Sequence, residues 1–134
     1  SSAALGAVAA VLADALDACP QAVMVYTDEA LTDENGHDIA VRRLAYSRWQ
    51  HANSASHVHG LIVMRRSVVE AVLKETTDLN NFADWLLTLL VAKRGGVLYL
   101  PIVGRHWRQH PKQSHRTGDP EAVRRIRQAS NLWR

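Results

Sequence analysis

Cysteine is close to absent: Cys19 stands alone among 134 residues. That excludes an internal disulfide, a thiolate metal cage and dithiol redox chemistry. Long apolar runs are missing too. The charge-free stretch 1–13 is too short and too rich in Ala and Gly to cross a bilayer, and no basic-then-apolar leader precedes a cleavage site. The expectation is a soluble piece of a cytosolic protein. Residues 1–41 lack Lys and Arg altogether while holding seven acids, a balance of −7. The remainder carries all 16 Lys and Arg against six acids, or +10, and eight of those bases fall between Arg105 and Arg134. This basic end should face something anionic. No repeat, low-complexity segment or Gly/Pro/Ser-rich linker divides the chain. Glycine-rich phosphate loops, HExxH and a Ser-centred elbow are absent, and the Gly95-Gly96 pair follows a helix instead of preceding one.

What is present is 47% apolar and 22% charged residues in a length that suits one domain, or part of one, with a sizeable core. A start at Ser-Ser instead of Met reads as a processed, cloned or proteolysed end, so Ser1 is not expected to be the natural start. Residues 3–18 place Leu5, Val8, Leu12, Ala15 and Leu16 on one face of a helix that Ser2 caps and Pro20 ends. Residues 22–27 form a short strand buried on both faces, followed by an Asn-Gly turn in TDENG. The segment 37–58 shows no sustained periodicity and is expected to be irregular. Residues 60–64 predict a second buried strand, and Ser67 should cap a helix to about Lys74. The best-defined helix is 81–94, with Phe82, Trp85, Leu86, Leu89, Leu90 and Ala92 on a broad apolar face. A strand over 97–100 is expected to stop at Pro101. Asp119-Pro120-Glu121 reads as the start of a last, basic amphipathic helix over 119–134. Alternating helices and strands predict an α/β fold.

Two constellations stand out. Asp84 lies between Ala83 and Trp85 in an apolar stretch, where partial desolvation would make its carboxylate a stronger base; a first-turn Asp that favours the helix dipole is the plain alternative. After Pro101, the run 105–110 (RHWRQH) follows a strand, where open α/β sheets present ligand groups. His106 and His110 could share a metal or phosphate there and Arg108 could fork onto phosphate oxygens; a solvated basic loop is the alternative. Asp28 and Glu29 close the first strand and are weaker candidates. His57 and His59 point the same way on an extended chain, which permits a metal, but packed or surface histidines are the favoured reading.

Together the segments VMVYTDEALTDENG, GLIVMRRSVVEAV and FADWLLTLLVAKRGGVLYLPIVGRHWRQHPKQS resemble, in this order, the family 2 glycosyltransferases. The likeness spans residues 1 to about 116, and its most specific block runs from Asp84 to His110. It implies a partial GT-A-like (Rossmann-like) sheet flanked by helices, lacking the N-terminal nucleotide-binding half. The parent enzyme would move a sugar from a nucleotide-diphosphate donor to a glycan or lipid-linked acceptor with inversion, using Mn²⁺ or Mg²⁺. Under the resemblance Asp84 is the general base, His106 a metal ligand, and Arg108 and His110 lie near the diphosphate. Trp85, Asp28 and Glu29 fall on the acceptor side. Ala83 and Leu86 depart from the family's acidic pattern, and the Asp-x-Asp metal motif is expected upstream of Ser1. The fragment alone is expected to be inactive, cytoplasmic or peripheral to a membrane, and able to self-associate through an apolar edge that the missing half would cover. The competing readings are a small basic module binding nucleic acid or an anionic surface, and a degenerate non-catalytic partner subunit.

Overall fold

A computed structural model describes residues 2–76 and 83–108, and for residues 2–4 and 83 the backbone alone. The element order is α1 (Ser2–Ala18), β1 (Ala22–Thr32), β2 (Asp38–Arg42), α2 (Arg48–Asn53), β3 (Ile62–Met64), α3 (Arg66–Glu75), α4 (Ala83–Ala92) and β4 (Gly96–Arg108). The fold is α/β, with one mixed sheet between helical layers.

β1 is the central strand, buried along nearly its whole length. β4 runs parallel to it along one edge, from Ala22↔Gly96 to Thr32↔Arg108. The other edge is shared by two short antiparallel strands: β3 pairs with the first half (Met24↔Met64 to Tyr26↔Ile62) and β2 with the second (Glu29↔Arg42 to Thr32↔Asp38). α1 covers one face, where Leu12 and Leu16 pack with Ala22, Val25, Leu61, Val63, Leu98 and Leu100. On the other face Met24 and Tyr26 pack with Ala52, Val58, Val72, Trp85 and Leu89 from the remaining helices and loops. Arg65 ties the layers together, its guanidinium donating to the carbonyls of Ala22 (3.0 Å), Leu16 (3.0 Å) and Cys19 (3.4 Å) at the C-terminal end of α1. Among the described residues no helix is long and apolar enough to cross a membrane.

Several expectations change here. β1 runs five residues past Thr27, because arginines from both neighbouring strands balance Asp28 and Glu29. The segment expected to be irregular holds β2 and α2. β3 is half-buried instead of buried on both faces. α3 starts one residue before Ser67, with Arg65 at the cap position and no side-chain capping bond. In α1, Leu5 is exposed while Leu12 and Leu16 carry the contact with the sheet.

The largest difference is at Pro101, which does not end β4. The pairing jumps from Thr27↔Leu100 to Asp28↔Val103, so Pro101 and Ile102 fall in a bulge, and Pro101 is exposed. Bulges at a sheet edge are where a residue without an N–H donor can sit in a strand. A second irregularity at Gly104 lets β4 close on Thr27: a Cβ at Gly104 would meet Thr27 Oγ1 at 2.3 Å. The expected helix over 119–134 lies outside the described residues.

Candidate functional site

The C-terminal half of β1 carries two adjacent carboxylates: Glu29 is held by arginines from both neighbouring strands, Asp28 by one arginine and a tyrosine hydroxyl. Asp28 is fully buried; it accepts from Arg43 Nε at 2.9 Å and from the Tyr99 hydroxyl. Glu29, also buried, accepts from Arg42 Nη1 at 3.1 Å and faces Arg105 Nε at 3.7 Å. Arg42 also lies over the Trp107 ring, its guanidinium carbon 5.2 Å from the ring centroid, a cation–π contact. Successive residues of a strand point to opposite faces, so Glu29, Arg42, Arg105 and Trp107 line one side of the sheet. His106 and Arg108 lie on the other, beside Ala30 and Thr32 in the register. Arg108 reaches the hairpin turn after β1, where its Nη2 is 3.8 Å from the point a Gly36 Cβ would occupy. That turn is built by Asp33, whose Oδ1 accepts from the backbone N–H of Asn35 and of His37, both at 2.9 Å.

The expected site residues divide accordingly. Asp28, Glu29, His106 and Arg108 gather on neighbouring strands at one end of the sheet. Asp84 is exposed in the first turn of α4, among no ion pair of the described residues, so the desolvation expected for its carboxylate is not found there. Trp85 turns inward instead, its indole Nε1 donating to the His51 carbonyl at 2.9 Å. It is therefore part of the core beneath this face. His110 lies outside the described residues.

Sequence reasoning passed over a polar cluster on the α2 side of the sheet. His51, His57 and His59 are all buried there. Tyr46 stands 5.5 Å from the His51 ring and 5.7 Å from that of His57, while His59 packs edge-on against Tyr26 at 5.5 Å. His51 is bonded at both nitrogens, to the Tyr46 hydroxyl through Nδ1 and the Thr88 hydroxyl through Nε2, each at 2.9 Å. His57 Nε2 accepts from the Ser47 N–H at 2.9 Å. Burial drives the His51 imidazole down to about 3, with neighbouring His57 adding to the effect. Burial also lowers His57, and His59 adds a smaller push in the same direction. The phenols move the other way: desolvation raises Tyr26 and Tyr46, and Tyr99 is raised by desolvation and then by its bond to Asp28. Only the spacing His57-Val58-His59, both rings on one side of an extended chain, was visible in advance.

Among the described residues no group of three His, Cys, Asp or Glu side chains is placed to hold a metal ion. No protein-family model matches the chain, and no curated protein matches it.

Proposed function

We propose that this chain is the acceptor-side half of an inverting glycosyltransferase, with a parent that passes a sugar from a nucleotide-diphosphate donor to a glycan or lipid-linked hydroxyl. The observation that supports it is the placement of His106 and Arg108 at the end of β4 beside the Asp28-Glu29 end of the parallel strand β1; Asp84 is exposed in the first turn of α4. Ligand groups at strand ends are how open α/β sheets build sites.

In this reading the Asp84 carboxylate takes the proton of the acceptor hydroxyl as that oxygen bonds to the sugar's anomeric carbon. The bond from that carbon to the diphosphate breaks, and Arg108 offsets the charge left on the departing phosphate. Asp28 and Glu29 act structurally, by tethering Arg43, Arg42 and Arg105. A divalent ion would assist the leaving group in such chemistry, but the described residues do not form a cage for one. His106 alone offers a single imidazole, so the isolated chain should neither require Mn²⁺ nor transfer sugar. The test is donor hydrolysis and transfer by the longest natural form with UDP-sugars and Mn²⁺. Asp84→Asn should reduce turnover by about a hundredfold or more while leaving donor affinity within about threefold. Full activity in that variant rejects Asp84 as the base.

A further inference from the structure

Asp28 sits where the strand ladder is least regular. The β1–β4 register shifts on both sides of it, and Pro101, Ile102 and Gly104 have no partner in β1. An odd number of unpaired residues inverts the side-to-side alternation of β4 across the irregularity. Leu98 and Leu100 therefore share the α1 face with Arg105 and Trp107, while His106 and Arg108 come round to the face of Tyr99 and Asp28. Both oxygens of Asp28 are spent on orienting other side chains: Oδ2 accepts from Arg43 Nε at 2.9 Å, and Oδ1 accepts from the Tyr99 hydroxyl. The Asp28 side chain is 0% exposed and that of Arg43 63% exposed. The carboxylate takes only Nε, and both Nη groups of Arg43 are without a partner among the described residues.

We propose that Arg43 and His106 form a binding site for a phosphoryl group, with Asp28, itself held by Tyr99, positioning the guanidinium. A buried charge pair adds little to stability over an apolar pair of the same shape. What this pair achieves is placement: the guanidinium is fixed through Nε while its Nη donors remain free for a ligand. His106 is exposed on the same face, beside Ala30, two residues further along β1 and across that strand from Arg43. Strand spacing puts the two Cα atoms about 12 Å apart, a gap that two such side chains close on one small anion. A carboxylate would fill the Arg43 fork alone, whereas a phosphate has oxygens for the fork and for His106 together. Arg108, on this face as well, adds to the positive field. That the phosphate belongs to a nucleotide diphosphate rests on the glycosyl-transfer reading; the fit to a phosphoryl group does not.

The experiment follows the side-chain nitrogen resonances of arginine and histidine in the isotope-labelled chain during titration with inorganic phosphate, pyrophosphate, UDP and, as the carboxylate control, acetate, all at constant ionic strength. Pyrophosphate and UDP should move Arg43 and His106 saturably, with a dissociation constant on the order of 1 mM or tighter. Arg65, bonded to the carbonyls of Ala22, Leu16 and Cys19, should stay in place. Acetate should bind at least about tenfold more weakly than pyrophosphate. Arg43→Lys keeps the charge that balances Asp28 but gives up the fork, and should weaken pyrophosphate about tenfold; His106→Ala, at an exposed position, should weaken it about threefold. Asp28→Ala separates positioning from charge, because loss of a negative group by itself would tighten an anion, whereas loss of placement weakens it; weaker binding is expected. Where that variant fails to fold, the unmodified chain and the other two variants decide. An Arg43 resonance that no phosphate moves, acetate bound as tightly as pyrophosphate, pyrophosphate binding undiminished in both Arg43→Lys and His106→Ala, or tighter binding by Asp28→Ala would overturn the proposal. Phosphate binding here by a chain whose longer form transfers no sugar would reject the enzyme reading and keep the site. Transfer by the longer form with Arg43 unmoved by UDP would do the reverse.

Discussion

Thr27 is where the backbone is packed most tightly, and it accounts for two glycines. Its hydroxyl accepts from the Leu61 N–H at 2.9 Å and donates to the Asp28 carbonyl at 3.0 Å. Gly60 approaches from one strand edge and Gly104 from the other. A Cβ at Gly60 would lie 2.5 Å from Thr27 Oγ1 and 2.6 Å from the Thr27 carbonyl, and the residue has φ +70. Gly60→Ala should therefore destabilise the fold by roughly 2–4 kcal/mol in urea unfolding, combining left-handed strain with a backbone clash. An effect below about 0.5 kcal/mol would show that the two segments do not meet this closely. His51 gives a second prediction at this scale. Its folded-state value of about 3 is below the ordinary imidazole value of 6.5, so between those limits the unfolded chain binds a proton that the folded chain does not. The stability held by neutral His51 is fully present above pH 6.5 and is lost as pH falls toward 3, at up to about 1.4 kcal/mol per pH unit, with His57 acting in the same direction. His51→Gln keeps a neutral donor and acceptor for Tyr46 and Thr88, so it should flatten the dependence of unfolding free energy on pH across that window.

At the scale of elements, legibility followed how regularly each segment buries its side chains. α1 and α4 each bury an apolar face, and their existence was readable from three- and four-residue spacing. Leu12→Ala, at a fully buried position of α1 against the sheet, should cost about 2–5 kcal/mol, measured by thermal or denaturant unfolding. Leu5→Ala, at an exposed position of the same helix, should change stability by less than about 0.5 kcal/mol. β2 left no trace because four of its five residues are exposed, which removes the inside–outside alternation that marks a strand. α2 is six residues long, too short for a helical period to register. It did carry one readable signal: Ser47 precedes Gln50 by three, a capping-box spacing, and Ser47 Oγ accepts from the Gln50 N–H at 3.2 Å. Pro101 misled for a physical reason. Its missing donor stops a strand only where the ladder needs that donor, and at an edge bulge it does not.

For the whole molecule, the open edge of β4 has consequences of its own. It pairs only with β1 among the described residues, and Ile102 and Val103 lie exposed along it. An unprotected edge with apolar side chains promotes pairing with another chain, so light scattering should show a mass that rises with protein concentration. A Val103→Lys change should restore a monomer, and a strictly monomeric parent chain at millimolar concentration would refute the expectation. The helix-and-strand alternation, the central apolar run of β1, the Asn-Gly turn and the candidacy of Asp28, Glu29, Asp84, His106 and Arg108 all follow from local pattern, so the sequence by itself determined the fold class and nominated a site. Only the tertiary structure decided that β1 extends through two acids, that Glu29 lies between two arginines, that Trp85 serves the core, that Asp84 remains exposed and that one nitrogen of His59 is left without a partner. Those outcomes depend on residues between 10 and 80 positions apart in the chain meeting across the sheet, as Tyr99 meets Asp28 and Arg105 meets Glu29. Local spacing carries no information about such encounters, because they are set by strand register and by the balance of burial against charge pairing.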